Sequence, residues 1–234
     1  MNPHHQIILR QIQTAVPGRG QVKQRPEHLG TTRKWYGLKN AQSRAIAIAF
    51  IADHKALSYD DWLALLDSLY QGDSYEERCA PRTLLGKFSR YRRQLPLARL
   101  DAWLGCLNGW AEVDSTCQTV FTDKDLLADW AGWSALLGSL ARDENTNKRR
   151  AALVLLTAPI SQSPDARILE LSLELIDRLK GEKDGRITKA VSWLLRKGIK
   201  QHRAAIVAYL EANAAALPAI AARETPRKLA TGQK

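Results

Sequence analysis

Leu97-Ala98-Arg99-Leu100-Asp101-Ala102-Trp103-Leu104-Gly105-Cys106-Leu107-Asn108-Gly109-Trp110-Ala111-Glu112-Val113-Asp114 is the stretch that sets the reading of this chain. Leu97, Leu100, Trp103, Leu104 and Leu107 recur at helical spacing, and Pro96 before them opens a helix that leads into Trp110. Helix geometry then puts Trp110 and Asp114 on one face, one turn apart. An indole beside a carboxylate can form a small site, with a flat cation-binding surface next to a negative charge. The same spacing also describes a core tryptophan followed by a solvent-facing or capping aspartate, and both readings stay open here.

The helical grain continues on both sides. Upstream, Ile7, Ile8, Ile12 and Ala15 predict a short amphipathic helix over 4–15. Pro17-Gly18-Arg19-Gly20, with Lys23, Arg25 and Pro26, is a basic, breaker-rich arm that runs on as a loop to Gly37, either a solvated linker or a nucleic-acid contact. Asn40 caps a predicted helix over 41–54 with Ile46, Ala49 and Phe50 inward. Ser58 and Asp60 open the next, carrying Trp62, Leu65, Leu66, Leu69 and Tyr70. Ser74 with Glu77 resembles a capping box, and Pro81 either kinks the following helix or marks a later start.

Downstream, Thr122 or Asp123 caps a helix bearing Leu126, Leu127 and Trp130, and Gly132 interrupts before Trp133 to Leu140. Asn147-Lys148-Arg149-Arg150 runs into Ala151-Ala152-Leu153-Val154-Leu155-Leu156, and Pro159 ends that helix. Ser163-Pro164-Asp165 starts the next. Asp184 to Lys197 reads as a helix stopped by Gly198, and Lys200 to Glu211 as another, with Pro218 breaking the alanine-rich run beyond it. No convincing period-two strand or hairpin signal occurs. The chain is therefore expected to be all-α, with about ten to twelve helices joined by short loops. Successive helix pairs of roughly 35–40 residues have the grain of a helical-repeat solenoid, with an irregular bundle as the alternative. The expected organisation is an N-terminal helix and basic loop over 1–36, a helical domain over 37–222 and a basic tail over 223–234.

The 234 residues suffice for one large domain or two small ones, with a sizeable core. Thirty-five Lys and Arg stand against 24 Asp and Glu, a formal charge of +11 that favours a polyanionic partner or an acidic membrane surface. No apolar run reaches the length of a membrane span, and the start predicts no secretory signal. Cys79, Cys106 and Cys117 show no CxxC spacing, which predicts reduced thiols in a cytoplasmic protein. No metal-ligand spacing, P-loop or GxGxxG is present, so no metal and no cofactor is expected.

Two basic clusters stand out. Arg149 and Arg150, beside Lys148, lie in the first turn of a strongly apolar helix, where cations oppose the helix dipole at a cost of roughly 0.3–1 kcal/mol each. Such placement suggests a phosphate or carboxylate partner. Lys189, Trp193, Arg196 and Lys197, with Lys200, form the second. A tryptophan framed by cations suits a nucleic-acid backbone, although basic side chains also snorkel over surface tryptophans. A curved solenoid could bring both clusters and Trp110/Asp114 to one concave face.

Five segments in this order resemble the AlkD-like, helical-repeat DNA alkylation repair family. They are Gly37-Leu38-Lys39-Asn40-Ala41-Gln42-Ser43-Arg44, Tyr75-Glu76-Glu77-Arg78, Trp110 to Asp114, Asn147 to Leu153, and Asp184 to Gly198, the last being the most specific. The resemblance covers about 37–232. It implies a superhelical solenoid of HEAT-like antiparallel helix pairs with a concave basic groove holding duplex DNA. It further implies a glycosylase that releases N3- and N7-alkylated purines without base flipping. By that resemblance the catalytic aspartate is Asp114 and the groove tryptophans are Trp110 and Trp193. The groove arginine is Arg149 or Arg150. Lys148, Lys189, Arg196 and Lys197 would meet phosphates. Ala111 departs from the family, which often has an acid there, and Pro81 is a second departure. The expected partner is alkylated double-stranded DNA, bound by a monomer in the cytoplasm at the nucleoid. The alternatives are a non-catalytic, lesion-recognising duplex binder and a protein-binding scaffold in which Trp110, Trp133 and Trp193 are core or interface anchors.

Overall fold

The computed structural model describes residues 1–16 and 26–232. Among them the chain forms fifteen α-helices and one 3-10 turn, Pro26–Leu29. The only strand-like pairing described is an isolated bridge between Lys34 and Ser74. The all-α expectation holds. The sequence's basic arm over 17–25 lies outside the described residues, as do Gln233 and Lys234. The helices gather into two compact units, Met1–Thr116 and Cys117–Lys234.

The first unit contains α1 (Pro3–Thr14), α2 (Asn40–Asp53), α3 (Tyr59–Tyr70), α4 (Tyr75–Cys79), α5 (Pro81–Lys87), α6 (Ser89–Arg92), α7 (Leu97–Gly105) and α8 (Trp110–Cys117), whose last residue falls in the second unit. Local chemistry sets most of these boundaries. The Asn2 carboxamide accepts from the His4 and His5 amides to cap α1, and Ser58 caps α3 through the Asp61 amide. Ser74 and Glu77 form a reciprocal box at α4. Pro81 is the first residue of α5, so it begins a helix and kinks none. Trp62, Leu65, Leu66, Leu69 and Tyr70 of α3 are wholly buried with Ile8, Phe50, Leu84 and Leu85, each such side chain contributing about 1.5–3 kcal/mol. Tyr70 stacks on Trp103 at 4.9 Å, and the Trp103 indole donates to Asp67 at 2.7 Å.

Charged groups also lie inside this unit. Glu76 is 1% exposed and accepts from the Tyr36 and Leu38 amides, which fixes residues 35–38 against α4. Glu77 accepts from His5 at 2.8 Å, which ties α1 to α4. Arg78 donates to the carbonyls of Gly72 and Cys106. Desolvation raises the Glu76 carboxyl above its usual range. Desolvation pushes Glu77 the same way, but hydrogen bonds from His5 and Ser74 outweigh it and leave this carboxyl low.

The second unit contains α9 (Asp123–Ala128), α10 (Trp130–Leu140), α11 (Thr146–Leu156), α12 (Pro159–Gln162), α13 (Ala166–Leu179), α14 (Gly185–Asn213) and α15 (Ala219–Thr231). Its helices stack mainly on near neighbours in the chain, α10 on α11, α11 on α13, α13 on α14 and α14 on α15, with α11 and α12 also packed against α14, the grain of a HEAT-like repeat. Asp129, Asn145, Asp165 and Asp184 cap α10, α11, α13 and α14 with their side chains. Ala151 to Leu156 are each completely buried, as an all-round apolar run must be.

Several sequence expectations are corrected. The helix from Pro96 does not lead into Trp110: α7 ends at Gly105, and Trp110 opens α8. The turn between them requires Gly109, whose φ is +149° and whose Cβ, if present, would lie 2.1 Å from the Gly30 carbonyl oxygen. Gly132 interrupts nothing; it sits in the first turn of α10, where it makes room for the capping Asp129 carboxylate. Gly198 does not stop a helix either. The helix runs through it to His202, whose φ of −128° and ψ of 38° are not helical, and a second helical segment continues to Asn213, so the two expected helices meet at His202 within α14; Gly198 is where α14 packs closely against Ile160. On α2 the inward residues are Ala47 and Phe50, while Ala49 is exposed, since only two positions of that helix reach the core. Residues 219–231, expected mostly as tail, form α15.

Candidate functional site

Trp110 and Asp114 stand one turn apart on α8, Trp110 at 37% exposure and Asp114 part-exposed. Between them Glu112 points inward and is wholly buried. One of its oxygens accepts from the Asn108 amide at 2.8 Å, closing the turn into α8, and the other accepts from the Thr31 hydroxyl at 2.6 Å. The Arg33 Nε faces the same carboxylate at 3.7 Å. Asn108 reaches back to Thr32 through its side chain. Residues 30–33 are therefore docked on the start of α8; the segment is a loop as far as Gly37, as expected, but over these residues it is not a solvated linker. Sequence reasoning missed Gly30, Thr31, Arg33 and Glu112, and no periodicity or motif marks them.

Around this corner Arg33 and Arg78 both donate to the Cys106 carbonyl, at 2.7 and 2.9 Å. Desolvation, and then the neighbouring Arg33, lower the Arg78 pKa. Desolvation pushes the nearby Cys79 thiol up to about 12, so it is no thiolate nucleophile at neutral pH. Asp114, part-exposed, and Trp110, 37% exposed, are the sequence-predicted residues that this corner holds.

The remaining sequence-predicted residues belong to the second unit. Arg149 grips Glu182 with two bonds, 2.7 and 3.1 Å, and donates to the carbonyls of Asp143 and Glu144. A carboxylate partner for a cation at this helix start thus exists within the chain. Arg150 is 5% exposed and donates to the Arg186 carbonyl, whereas the Arg149 side chain keeps 20% exposure. Lys148 pairs with Asp143 at 3.2 Å. On α14, Trp193 is partly exposed, Lys189 and Lys197 are exposed, and Arg196 leans on Ser192 and on Glu224 of α15. Among the described residues, no group of three or more His, Cys, Asp or Glu side chains could hold a metal ion, and no helix is long and apolar enough to cross a membrane. All three cysteines are free thiols.

A family model described as "DNA alkylation repair enzyme" matches residues 15–229. The fold is shared with a solved structure described as a predicted DNA alkylation repair enzyme from Enterococcus faecalis. That structure is 17% identical, superposes with a TM-score of 0.70, and the match covers 88% of this chain and 93% of the other. No curated protein matches the chain.

Proposed function

The chain belongs to the DNA alkylation repair enzyme family, and on that premise we propose that it is a DNA glycosylase that hydrolyses the N-glycosidic bond of N3- and N7-alkylated purines in duplex DNA, without base flipping. The observation that carries this reading is the pairing on α8 of an exposed indole with a carboxylate one turn away. An N-alkylated purine is already cationic, so it departs as a neutral base with the bond's electron pair and needs no protein acid. What remains is to stabilise the positive charge that develops on the deoxyribose. Asp114 supplies that anion and orients the water whose oxygen bonds to C1′ while its proton is released. Trp110 offers a π face to the cationic nucleotide, and Trp193 is an aromatic surface for the duplex on the second unit. Lys189 and Lys197, exposed on α14, meet phosphates, joined by Lys148, Arg196 and Arg149, the more exposed member of the arginine pair. These contacts hold the duplex without reading sequence.

A second reading, a duplex binder without catalysis, is favoured by Ala111, where the family often has an acid, and by the in-chain partners of Arg149, Arg150 and Arg196. The test is release of 7-methylguanine and 3-methyladenine from methylated duplex by wild type and Asp114→Asn, with duplex affinity measured for both. The expected outcome is release by wild type, a loss of about 100-fold or more in the variant, and affinity kept within about two-fold. Absence of release by a wild type that binds duplex would leave the binding reading.

A further inference from the structure

The following rests on the glycosylase reading and concerns what sets the position of its residues. We propose that Thr31 and Glu112 are positioning residues for Trp110: their hydrogen bond fastens residues 30–33 to the first turn of α8, and that segment is the seat of the indole.

Three observations carry this. First, Gly30 is so close to the ring that a Cβ built on it would lie 2.7 Å from Trp110 Cδ1. The backbone of residue 30 is therefore the wall on which one edge of the indole rests, while 37% of the residue stays open on the other side. Second, that wall is held by groups far away in sequence. Thr31 and Glu112 are 81 positions apart, 2% and 0% exposed, and joined by a 2.6 Å bond. A carboxylate taken wholly out of water costs several kcal/mol unless it is satisfied. A serine, threonine or asparagine side chain is enough to cap a helix start, so the turn into α8 does not require a buried acid. What the acid adds is a second oxygen for Thr31 and a negative charge facing Arg33 at 3.7 Å. Third, the grip acts at the right place. Glu112 lies two residues from both Trp110 and Asp114, and its other oxygen holds the Asn108 amide that leads into α8. Loosening the Thr31 bond removes the buried tie nearest the wall of Trp110, leaving that segment held by Thr32 to Asn108 and Arg33 to the Cys106 carbonyl, while the turn itself stays closed.

The test separates position from chemistry. Protein labelled with 5-fluorotryptophan gives seven fluorine resonances, one per tryptophan, and Trp110→Phe assigns the one that matters. In Thr31→Val the Trp110 resonance is expected to shift or broaden while the other six stay in place, which also shows that the variant folds. Thr31→Ser, which keeps the hydroxyl, is expected to restore it. Purine release by Thr31→Val should fall about ten-fold or more in kcat with KM within about two-fold, because a small misplacement of a catalytic group is enough to slow chemistry. If Thr31→Val does not fold, Glu112→Gln is measured the same way. A Trp110 resonance that does not move, or that Thr31→Ser fails to restore, overturns the proposal. So does an active wild type whose kcat is unchanged by a variant that does move Trp110. A wild type without glycosylase activity whose Trp110 resonance still moves in Thr31→Val would overturn the proposed function and uphold the seating of Trp110.

Discussion

In Met1–Thr116 buried charges reach across the chain: Glu76 to residue 36, 40 positions away, Glu77 to residue 5, 72 away, and Glu112 to residue 31, 81 away. In Cys117–Lys234 the polar chemistry is mostly local. Asp165 and Asp184 each hold an arginine two residues on, Asp129 an amide three residues on, and Asn145 an amide two residues on. The longer ties there include Arg150 to residue 186, Arg149 to Glu182, Ser192 to Glu224 and His202 to the Ser163 carbonyl. The difference teaches where each unit keeps its stability and its order. The second unit is an apolar core with its helix starts dressed by caps, so single polar losses there are small. The first unit hangs irregular segments on buried carboxylates, so the loss of one leaves buried donors behind.

The sharpest way to break that comparison is Glu76→Ala. The change strands the buried Leu38 amide and the part-buried Tyr36 amide, which together cost about 3 kcal/mol. Asp165→Ala, a cap with its arginine, should cost about 1 kcal/mol. Urea unfolding midpoints of the two variants check this. Equal costs would mean that the first unit does not depend on its buried acids.

The same contrast explains what could be read in advance. Caps, breakers and apolar periodicity act over two to four residues, so Ser58, the Ser74–Glu77 box and Ala151 to Leu156 were legible from the letters alone, as was the extent of α2, although Lys39 and not Asn40 stands at its N-cap, where Gln42 accepts from the Lys39 amide. On the candidate site, Trp110 and Asp114 share α8 as their spacing implies. The turn that begins α8 was not legible, because it depends on Gly109 meeting the Gly30 carbonyl, a contact between residues 79 positions apart in number. Gly198 misled for the opposite reason: glycine usually weakens a helix, but here tertiary packing against Ile160 and Ile206 outweighs propensity. Arg149 was read as cationic surplus because Glu182 lies 33 residues away.

Two glycines sharpen the comparison at a smaller scale. A Cβ at Gly198 would meet Ile160 Cδ1 and Ile206 Cδ1 at 3.0 Å, inside a closely packed core. Overpacking there should outweigh the roughly 1 kcal/mol gain in helix propensity, so Gly198→Ala is expected to destabilise by about 1 kcal/mol. Gly185, in the first turn of the same helix, has nothing within 4 Å of its Cβ position, and Gly185→Ala should stabilise by about 0.5 kcal/mol. Thermal melting distinguishes the signs. Stabilisation by both would show that α14 is more loosely packed at residue 198 than its neighbours imply.

The smallest effects are in the pH dependence, where Asp184 of the second unit and Glu76 of the first should differ in sign. The Arg186 side chain beside Asp184 holds that carboxyl below its ordinary value of 3.8. A lowered acid stabilises the fold fully above its unfolded value, and the contribution is lost as pH falls through the folded one. The cost of Asp184→Ala should therefore be about 1 kcal/mol at neutral pH and shrink below about pH 4. Glu76 is displaced the other way, raised by burial above its ordinary value of 4.5. Its folded form takes up a proton first, so acidification from its raised pKa towards 4.5 stabilises wild type relative to Glu76→Gln, which cannot titrate. The cost of Glu76→Gln should grow over that window, by a few tenths of a kcal/mol for each fraction of a pH unit of displacement. Followed from pH 7 to pH 3, the unfolding midpoint of Asp184→Ala should approach that of wild type while that of Glu76→Gln falls further behind it. If both costs shrank together, Glu76 would be an ordinary paired carboxylate, and the distinction between a unit held by buried acids and one dressed with caps would fail.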